Sequence, residues 1–223
     1  MKLFVSSLVT ITVLLSSVNA ALPDQLCTTD TRKCTSRFSG YKYLNNDLTD
    51  ITTQLLDQSF DFLFLSAAFN QVDRNRPGFE KLYRNIANRA WSDAIAVMQY
   101  QSKRGYRGSL NPGYSGARSE LRRLADPAAA SEHESLQLAM EYEKLVSEGL
   151  HAISKKASVA HQHPAQYDPD VVHFLDHQLI QRRSESVRKL NGYIHMLDGI
   201  LNADSSTADV GLRLFDEYLD SRE

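Results

Sequence analysis

Four long segments with helical hydrophobic periodicity, each free of interior proline, constrain this chain more than any other feature. The first segment, 46–71, repeats Leu55, Phe62 and Phe69 at intervals of seven residues, which is the seam of a packed helix bundle. The six prolines lie between the periodic segments or at their starts, as helix geometry requires. The pattern predicts an all-α protein built as a four-helix bundle.

The connections between the segments predict the order of the helices in space. The remaining long helices are expected at 77–105, 130–159 and 168–201, and a short amphipathic stretch at 210–219 predicts a fifth, C-terminal helix. Residues 105–129 form one long connection, which a bundle needs where its second and third helices are parallel. The expected fold is therefore a bundle with one long crossover.

The N-terminal region has the composition of an export signal. Residues 1–20 combine a basic start, an apolar stretch and the small-x-small site Val18-Asn19-Ala20, which is typical of a cleaved secretory signal peptide. No later stretch reaches the ~20 apolar residues of a membrane span. We expect 21–45 to be an N-terminal extension and 46–223 to be the bundle domain.

Cys27 and Cys34 are the only cysteines, and both lie in the extension. In an exported protein we expect them to be oxidised, either to each other or to neighbouring chains. The chain has 25 basic and 27 acidic residues, and this even balance argues against nucleic acid as a partner.

Several stretches, in their order and spacing, resemble ferritin over about residues 45–220. They are Leu56-Asp57-Gln58-Ser59-Phe60-Asp61-Phe62-Leu63, Arg104-Gly105-Tyr106-Arg107, Tyr142-Glu143-Lys144, Asp168-Pro169 and Gly211-Leu212 with Leu214-Phe215-Asp216. The signal peptide and the cysteine-bearing extension are similar to those of secreted arthropod ferritins, in particular the light-chain type. The resemblance implies a ferritin-like bundle.

The resemblance also implies where a ferroxidase centre would lie. Such a centre holds two irons with carboxylates and a histidine from four helices. The positions that match its ligands in this chain are Leu55, Ala90, Asp93, Glu143 and Arg183. Only one of them keeps its glutamate, so the resemblance implies a degenerate centre with at most a weak residual metal ligand, Glu143. In addition, Phe62 stands where catalytic subunits usually have tyrosine.

Charge balance predicts what replaces the metal. Inward-facing Asp93 and Glu143 are costly to bury unless they are paired, and the guanidinium fork of Arg183 suits two carboxylates. We therefore predict a salt bridge in this space. The alternative is a shifted helix register that turns Asp57 inward, so that Asp57, Asp93 and Glu143 form an unrecognised ligand set.

A second group of candidate residues lies on the fourth helix. His173, Asp176 and His177 are spaced to share one helix face, and the resemblance implies that they line a three-fold pore. A plain surface cluster is the alternative. The only Glu-x-x-His, Glu148 to His151, is expected to face outward.

Two further sets of residues are not expected to form a metal-binding or mineral-nucleating site. His161 and His163 lie in a connector, and two histidines in a polar loop rarely bind metal alone. The acidic mineral-nucleating patch of light-type ferritin chains is also missing, since Asn85, Asn88, Arg89 and Ser92 stand at matching positions.

The resemblance implies a non-catalytic, light-chain-type subunit of a secreted twenty-four-subunit ferritin shell. Iron would be held as ferric mineral in the shell cavity, with no cofactor in a dedicated site, and a heavy-type partner subunit would oxidise Fe(II). We expect the protein in the secretory pathway (endoplasmic reticulum, Golgi or extracellular fluid), with neither a membrane nor nucleic acid as partner. The alternatives are an active ferroxidase subunit and a secreted four-helix binding module that does not assemble.

Overall fold

The computed structural model describes residues 35–106, 130–159, 165–202 and 205–223, and every regular element in these ranges is helical. The predicted all-α fold with five helices is confirmed. The helices are α1 (Tyr41–Phe69), α2 (Pro77–Lys103), α3 (Glu132–Ser158), α4 (Pro169–Leu175, a π-helical turn at Asp176–Ile180, and Gln181–Leu201) and α5 (Ser205–Arg222).

The first helix is longer at its start than the sequence pattern predicted. It begins at Tyr41 and not at residue 46, because Tyr41 and Leu44 are fully buried and continue the apolar stripe that includes Leu48. The predicted domain start at residue 46 consequently falls inside α1. The C-terminal helix is also longer than the predicted stretch at 210–219.

Ring contacts at both ends show that α1 and α2 are antiparallel. The Phe69 ring stacks on Phe79 with the centroids 5.2 Å apart, and at the opposite end the Tyr41 and Tyr100 centroids are 6.2 Å apart. The end of α1 thus lies against the start of α2, and the start of α1 lies against the end of α2, so the two helices form a hairpin.

Two polar contacts show that α2 and α3 are parallel. Tyr83 hydrogen-bonds Ser135 through their hydroxyl groups at 2.5 Å, and further along both helices Arg89 contacts Glu143. Two consecutive helices that run parallel in a bundle require a long crossover between them. Most of that connection, 107–129, lies outside the described residues.

A buried arginine holds the end of α2 against the start of α4. Arg104 Nη2 donates to Asp168 Oδ2 at 2.6 Å, and both side chains are buried. Asp168 also caps α4 by accepting a hydrogen bond from the Val171 amide at 3.3 Å. This junction therefore fixes the start of α4, the helix that carries Arg183.

The C-terminal helix packs across the start of α2. Asp216 Oδ1 accepts a hydrogen bond from the Phe79 amide at 3.0 Å, which satisfies one of the free donors at that helix end. A Cβ atom at Gly78 would overlap the Asp216 carbonyl oxygen, so this contact requires glycine. No helix in the described ranges has both the length and the apolar character needed to cross a bilayer.

Candidate functional site

A fully buried arginine lies at the centre of the bundle, where the degenerate positions were expected. The Arg183 side chain has no exposed surface. Its Nη2 lies 3.1 Å from Asp93 Oδ2, and its Nη1 lies 3.1 Å from Glu143 Oε2. The predicted salt bridge between this arginine and both carboxylates is therefore present.

A glutamine from the first helix completes the centre. Gln58 Nε2 donates to Glu143 Oε1 at 3.0 Å, and Gln58 Oε1 accepts from Arg183 Nη1 at 3.1 Å. Each of the four long helices thus contributes one side chain, since Gln58, Asp93, Glu143 and Arg183 lie on α1, α2, α3 and α4. We call these four residues the central cluster.

Two further arginines flank the central cluster from its more exposed side. Arg89 Nη2 donates to Glu143 Oε1 at 2.9 Å and to Ser186 Oγ at 2.8 Å. Arg182 Nη2 donates to Asp93 Oδ1 at 3.0 Å. Their side chains are 27% and 47% exposed, so each carboxylate is bound from within by Arg183 and from outside by one other arginine.

The electrostatics of this site favour anions over cations. Three guanidinium groups surround two carboxylates, and all four carboxylate oxygens accept hydrogen bonds from them. Burial raises the pKa of Asp93 above its ordinary value, while the charges of Arg183, Arg182 and Arg89 act in the opposite direction. A metal ion placed here would meet a net positive charge and carboxylate oxygens that each already accept a hydrogen bond from an arginine.

Other positions that the resemblance assigned to the metal centre carry apolar side chains. Leu55 and Ala90 are both buried and offer no metal ligand. The Phe62 ring lies 5.6 Å from Tyr142 and 6.0 Å from Tyr83, measured between centroids. The four side chains of the central cluster are themselves buried away from water, which strengthens the attraction between their charges.

The alternative ligand set does not converge in the structure. Among the residues of the four described ranges, no three His, Cys, Asp or Glu side chains are placed to hold one metal ion. Asp57 is only partly buried, and it is the adjacent Gln58 that contacts Glu143. The proposed trio of Asp57, Asp93 and Glu143 is therefore wrong as one site.

Comparison with known proteins identifies the family. No protein-family model matches the chain. The sequence is 32% identical to a ferritin light chain of Drosophila melanogaster over 188 residues, which covers 83% of this chain and 80% of that protein. The chain belongs to the ferritin family. It is also 28% identical to a ferritin light chain of Trichoplusia ni, covering 84% of this chain and 80% of that protein.

The structural comparison agrees with the sequence comparison. The crystal structure of Trichoplusia ni secreted ferritin matches with a TM-score of 0.74 and 26% sequence identity, covering 85% of this chain and 89% of that one. The predicted ferritin-like bundle is thus confirmed. In the present chain, the five positions that the resemblance assigned to the ferroxidase centre all lie in the buried interior of the bundle.

The histidines of α4 lie on the outside of this ferritin chain. His173, Asp176 and His177 are all exposed, and the ring centroids of the two histidines are 5.6 Å apart. The two histidines therefore share one face, as their spacing predicted, and Asp176 is exposed next to His177 in the sequence. Their role as pore lining stays a prediction, because it depends on neighbouring chains.

The remaining candidates divide between the surface and the undescribed regions. Glu148 and His151 are exposed on α3, so their predicted outward orientation is confirmed. The signal peptide, Cys27, Cys34, His161 and His163 lie outside the described residues.

Sequence reasoning missed the polar residues that complete the central cluster. Gln58 lies between Leu55 and Phe62 at spacings of three and four, and this regular spacing was a usable signal. Arg89 was considered only as one of the positions that match the missing mineral-nucleating patch, yet its long side chain reaches Glu143. Nothing in the sequence indicated that Arg182 contacts the cluster, because its neighbour Arg183 occupies the inward position of the helix.

Proposed function

We propose that this ferritin chain is a non-catalytic, light-chain-type subunit of an iron-storage shell. The observation that carries the proposal is the position of the Arg183 guanidinium, which bridges Asp93 and Glu143 at 3.1 Å in the middle of the bundle. A di-iron centre requires carboxylates and imidazoles that converge from four helices on open metal positions. Here a permanent cation occupies the point of convergence.

Displacement of this cation by iron is unfavourable on physical grounds. Arginine side chains keep their positive charge in proteins, so Fe(II) would have to enter beside the Arg183 guanidinium or displace it within the buried interior. Either arrangement leaves a buried charge without its partner, which costs about 3–5 kcal/mol. The central cluster therefore acts as an internal brace that supports the helices without binding iron.

The names of the relatives support a light-chain-type subunit and secretion of the protein. Both insect relatives are ferritin light chains, and the matching crystal structure is that of a secreted ferritin. Together with the signal peptide predicted at 1–20, they support a secreted shell in which a heavy-type subunit oxidises Fe(II). In that shell this chain contributes to the wall around a ferric mineral and carries no resident cofactor.

The decisive experiment is aerobic oxidation of Fe(II) by the purified mature chain without a partner, followed by the absorbance of the ferric product. We expect a rate equal to that of buffer, and we expect Glu143→Gln to leave it unchanged. A fast, saturable rate that Glu143→Gln abolishes would establish the rival ferroxidase reading.

A second experiment tests assembly. We expect the chain, alone or refolded with a heavy-type ferritin subunit, to enter a particle of shell size in sedimentation analysis. Mixed shells should oxidise Fe(II) in proportion to their content of the heavy-type subunit. A chain that stays monomeric under both conditions would favour the non-assembling binding module and refute the shell.

A further inference from the structure

Two partly exposed arginines cross the gap between α2 and α4, one helical turn apart. Arg89 of α2 donates through Nη2 to Ser186 Oγ of α4 at 2.8 Å. In the opposite direction, Arg182 of α4 donates through Nη2 to Asp93 Oδ1 of α2 at 3.0 Å. On each helix the two residues involved are four apart in sequence, a spacing that places their Cβ atoms about 5–6 Å from each other. The two guanidinium groups are therefore neighbours at the more exposed side of the central cluster.

Both guanidinium groups keep N–H donors that no described residue uses. Arg89 contacts Glu143 and Ser186 through Nη2 alone, and Arg182 donates through Nη2 and Nε. Within the described part of the chain, Nε and Nη1 of Arg89 and Nη1 of Arg182 thus form no hydrogen bond. Both side chains are partly exposed, so an ion from solution can reach this side of the cluster.

The charges at this place do not balance. Three arginines, Arg89, Arg182 and Arg183, form ion pairs with only two carboxylates, those of Asp93 and Glu143. No other acidic side chain in the described ranges pairs with these arginines. One positive charge is therefore left over beside a buried interior, where water screens it less than at an open surface, and this excess attracts an anion.

The two flanking arginines are held in place before any ligand binds. Glu143 Oε1 and Ser186 Oγ accept hydrogen bonds from Arg89 Nη2 at 2.9 and 2.8 Å. The Gln178 carbonyl oxygen accepts one from Arg182 Nε at 2.7 Å, in addition to the contact of that arginine with Asp93. Groups that are ordered in advance lose less conformational entropy when they bind a ligand. The buried carboxylates therefore anchor the arginines, and their outer donors remain available.

We propose that Arg89 and Arg182 form a binding site for inorganic phosphate, with the Ser186 hydroxyl as a third donor. The planar fork of a guanidinium group matches the spacing of phosphate oxygens, and charge-assisted hydrogen bonds of this kind are among the strong ones. Ser186 Oγ accepts a hydrogen bond from Arg89, so its own proton can be donated to a bound oxygen. The ligand class is a tetrahedral oxyanion.

This site does not rest on the proposed storage role, because its ligand is an anion and all its donors belong to one chain. Phosphate would bind here even if the protein failed to form a shell or oxidised Fe(II). Failure of the phosphate site would equally leave the storage role intact. Phosphate adsorbed on a ferric mineral is the other source of the same chemistry, and iron-free protein separates the two.

The test is a calorimetric titration of the purified, iron-free mature chain with inorganic phosphate at low ionic strength. The variants are Arg89→Gln, Arg182→Gln and the double substitution. Arg188→Gln is the matched control, because Arg188 is an exposed arginine of the same helix that lies about 120° around the helix axis from Arg182. We expect the parent and the control to bind one phosphate per chain with equal affinity. Each single variant should bind it about tenfold more weakly or worse, and the double variant should show no saturable binding.

A further variant tests the sign of the charge that the site prefers. Glu185→Gln removes an exposed negative charge next to Ser186 in the sequence and should tighten phosphate binding. Weaker binding by this variant would contradict the proposal.

Three other outcomes would overturn the site. They are equal phosphate affinity in the parent and the double variant, an equal loss in Arg188→Gln, and binding that appears only after the protein is loaded with iron. Circular dichroism of each variant excludes misfolding as the cause of a loss. Since Arg182 is the more exposed of the two arginines, Arg182→Gln keeps the test decisive if Arg89→Gln does not fold.

Discussion

Replacing Arg183 with methionine removes the central cation and leaves the two carboxylates it binds buried in the bundle. Methionine keeps most of the volume of the arginine stem, so the substitution tests the charge more than the packing. Asp93 keeps its contact with Arg182, and Glu143 keeps its contacts with Arg89 and Gln58. Each carboxylate therefore loses one cationic partner and keeps another.

The lost contacts set the size of the effect. Arg183 makes three hydrogen bonds in the cluster, of which two are to carboxylates. A hydrogen bond to a charged group contributes about 1.5–3 kcal/mol, and breaking a buried ion pair costs about 3–5 kcal/mol. Because other arginines remain, we expect the lower end, a loss of about 3 kcal/mol.

Thermal unfolding at fixed protein concentration measures this loss. For a domain of this size, about 3 kcal/mol corresponds to a fall in Tm of about 6–12 °C. The matched control is Arg182→Met, because that side chain is 47% exposed and binds the same Asp93 from outside. Its loss should stay below about 1 kcal/mol, as for exposed ion pairs.

A quadruple variant separates charge from shape. Arg183→Met combined with Gln58→Leu, Asp93→Leu and Glu143→Leu removes the whole central cluster, so that no buried amide is left unpaired, and replacement of buried ions by apolar groups is often neutral or stabilising. It should recover most of the lost Tm. The reasoning would be refuted if Arg183→Met lowered the Tm no more than Arg182→Met.

Three further predictions rest on other contacts. Gly78→Ala should lower the Tm by several degrees, because the new Cβ atom would overlap the backbone of α5. Gly192→Ala is the matched control: a Cβ atom there would meet no atom within 4 Å, so the free energy of unfolding should rise by about 0.5–1 kcal/mol. Equal Tm shifts in the two variants would contradict this. Burial raises the pKa of Tyr41 to about 12, so its stabilising effect is complete below pH about 10 and is lost as the pH rises through 12. Tyr41→Phe should flatten that alkaline loss in urea unfolding, and an unchanged pH profile would count against it. Asp168→Ala should lower the Tm by about 6 °C or more, because the buried Arg104 would lose Asp168 and keep only the exposed Asp170 as an acidic partner, and a shift below about 2 °C would count against that pairing.

The helices and the charge balance of the interior could be predicted from the sequence, because both depend on local spacing. Leu55, Phe62 and Phe69 recur along one face, and that periodicity determines a helix whatever surrounds it. The pairing of Arg183 with Asp93 and Glu143 also followed, since buried carboxylates need a cation and only one was expected inside.

The tertiary structure alone decided which hydrogen-bond partners the other side chains find at that centre and where the first helix begins. Gln58 and Arg89 contact Glu143 across distances in sequence that no local pattern encodes. The earlier start of α1 depends on the burial of Tyr41 against Tyr100 of a different helix. The sequence determined the helical stripes because their period is local, whereas the hydrogen-bond partners depend on how four separate helices meet.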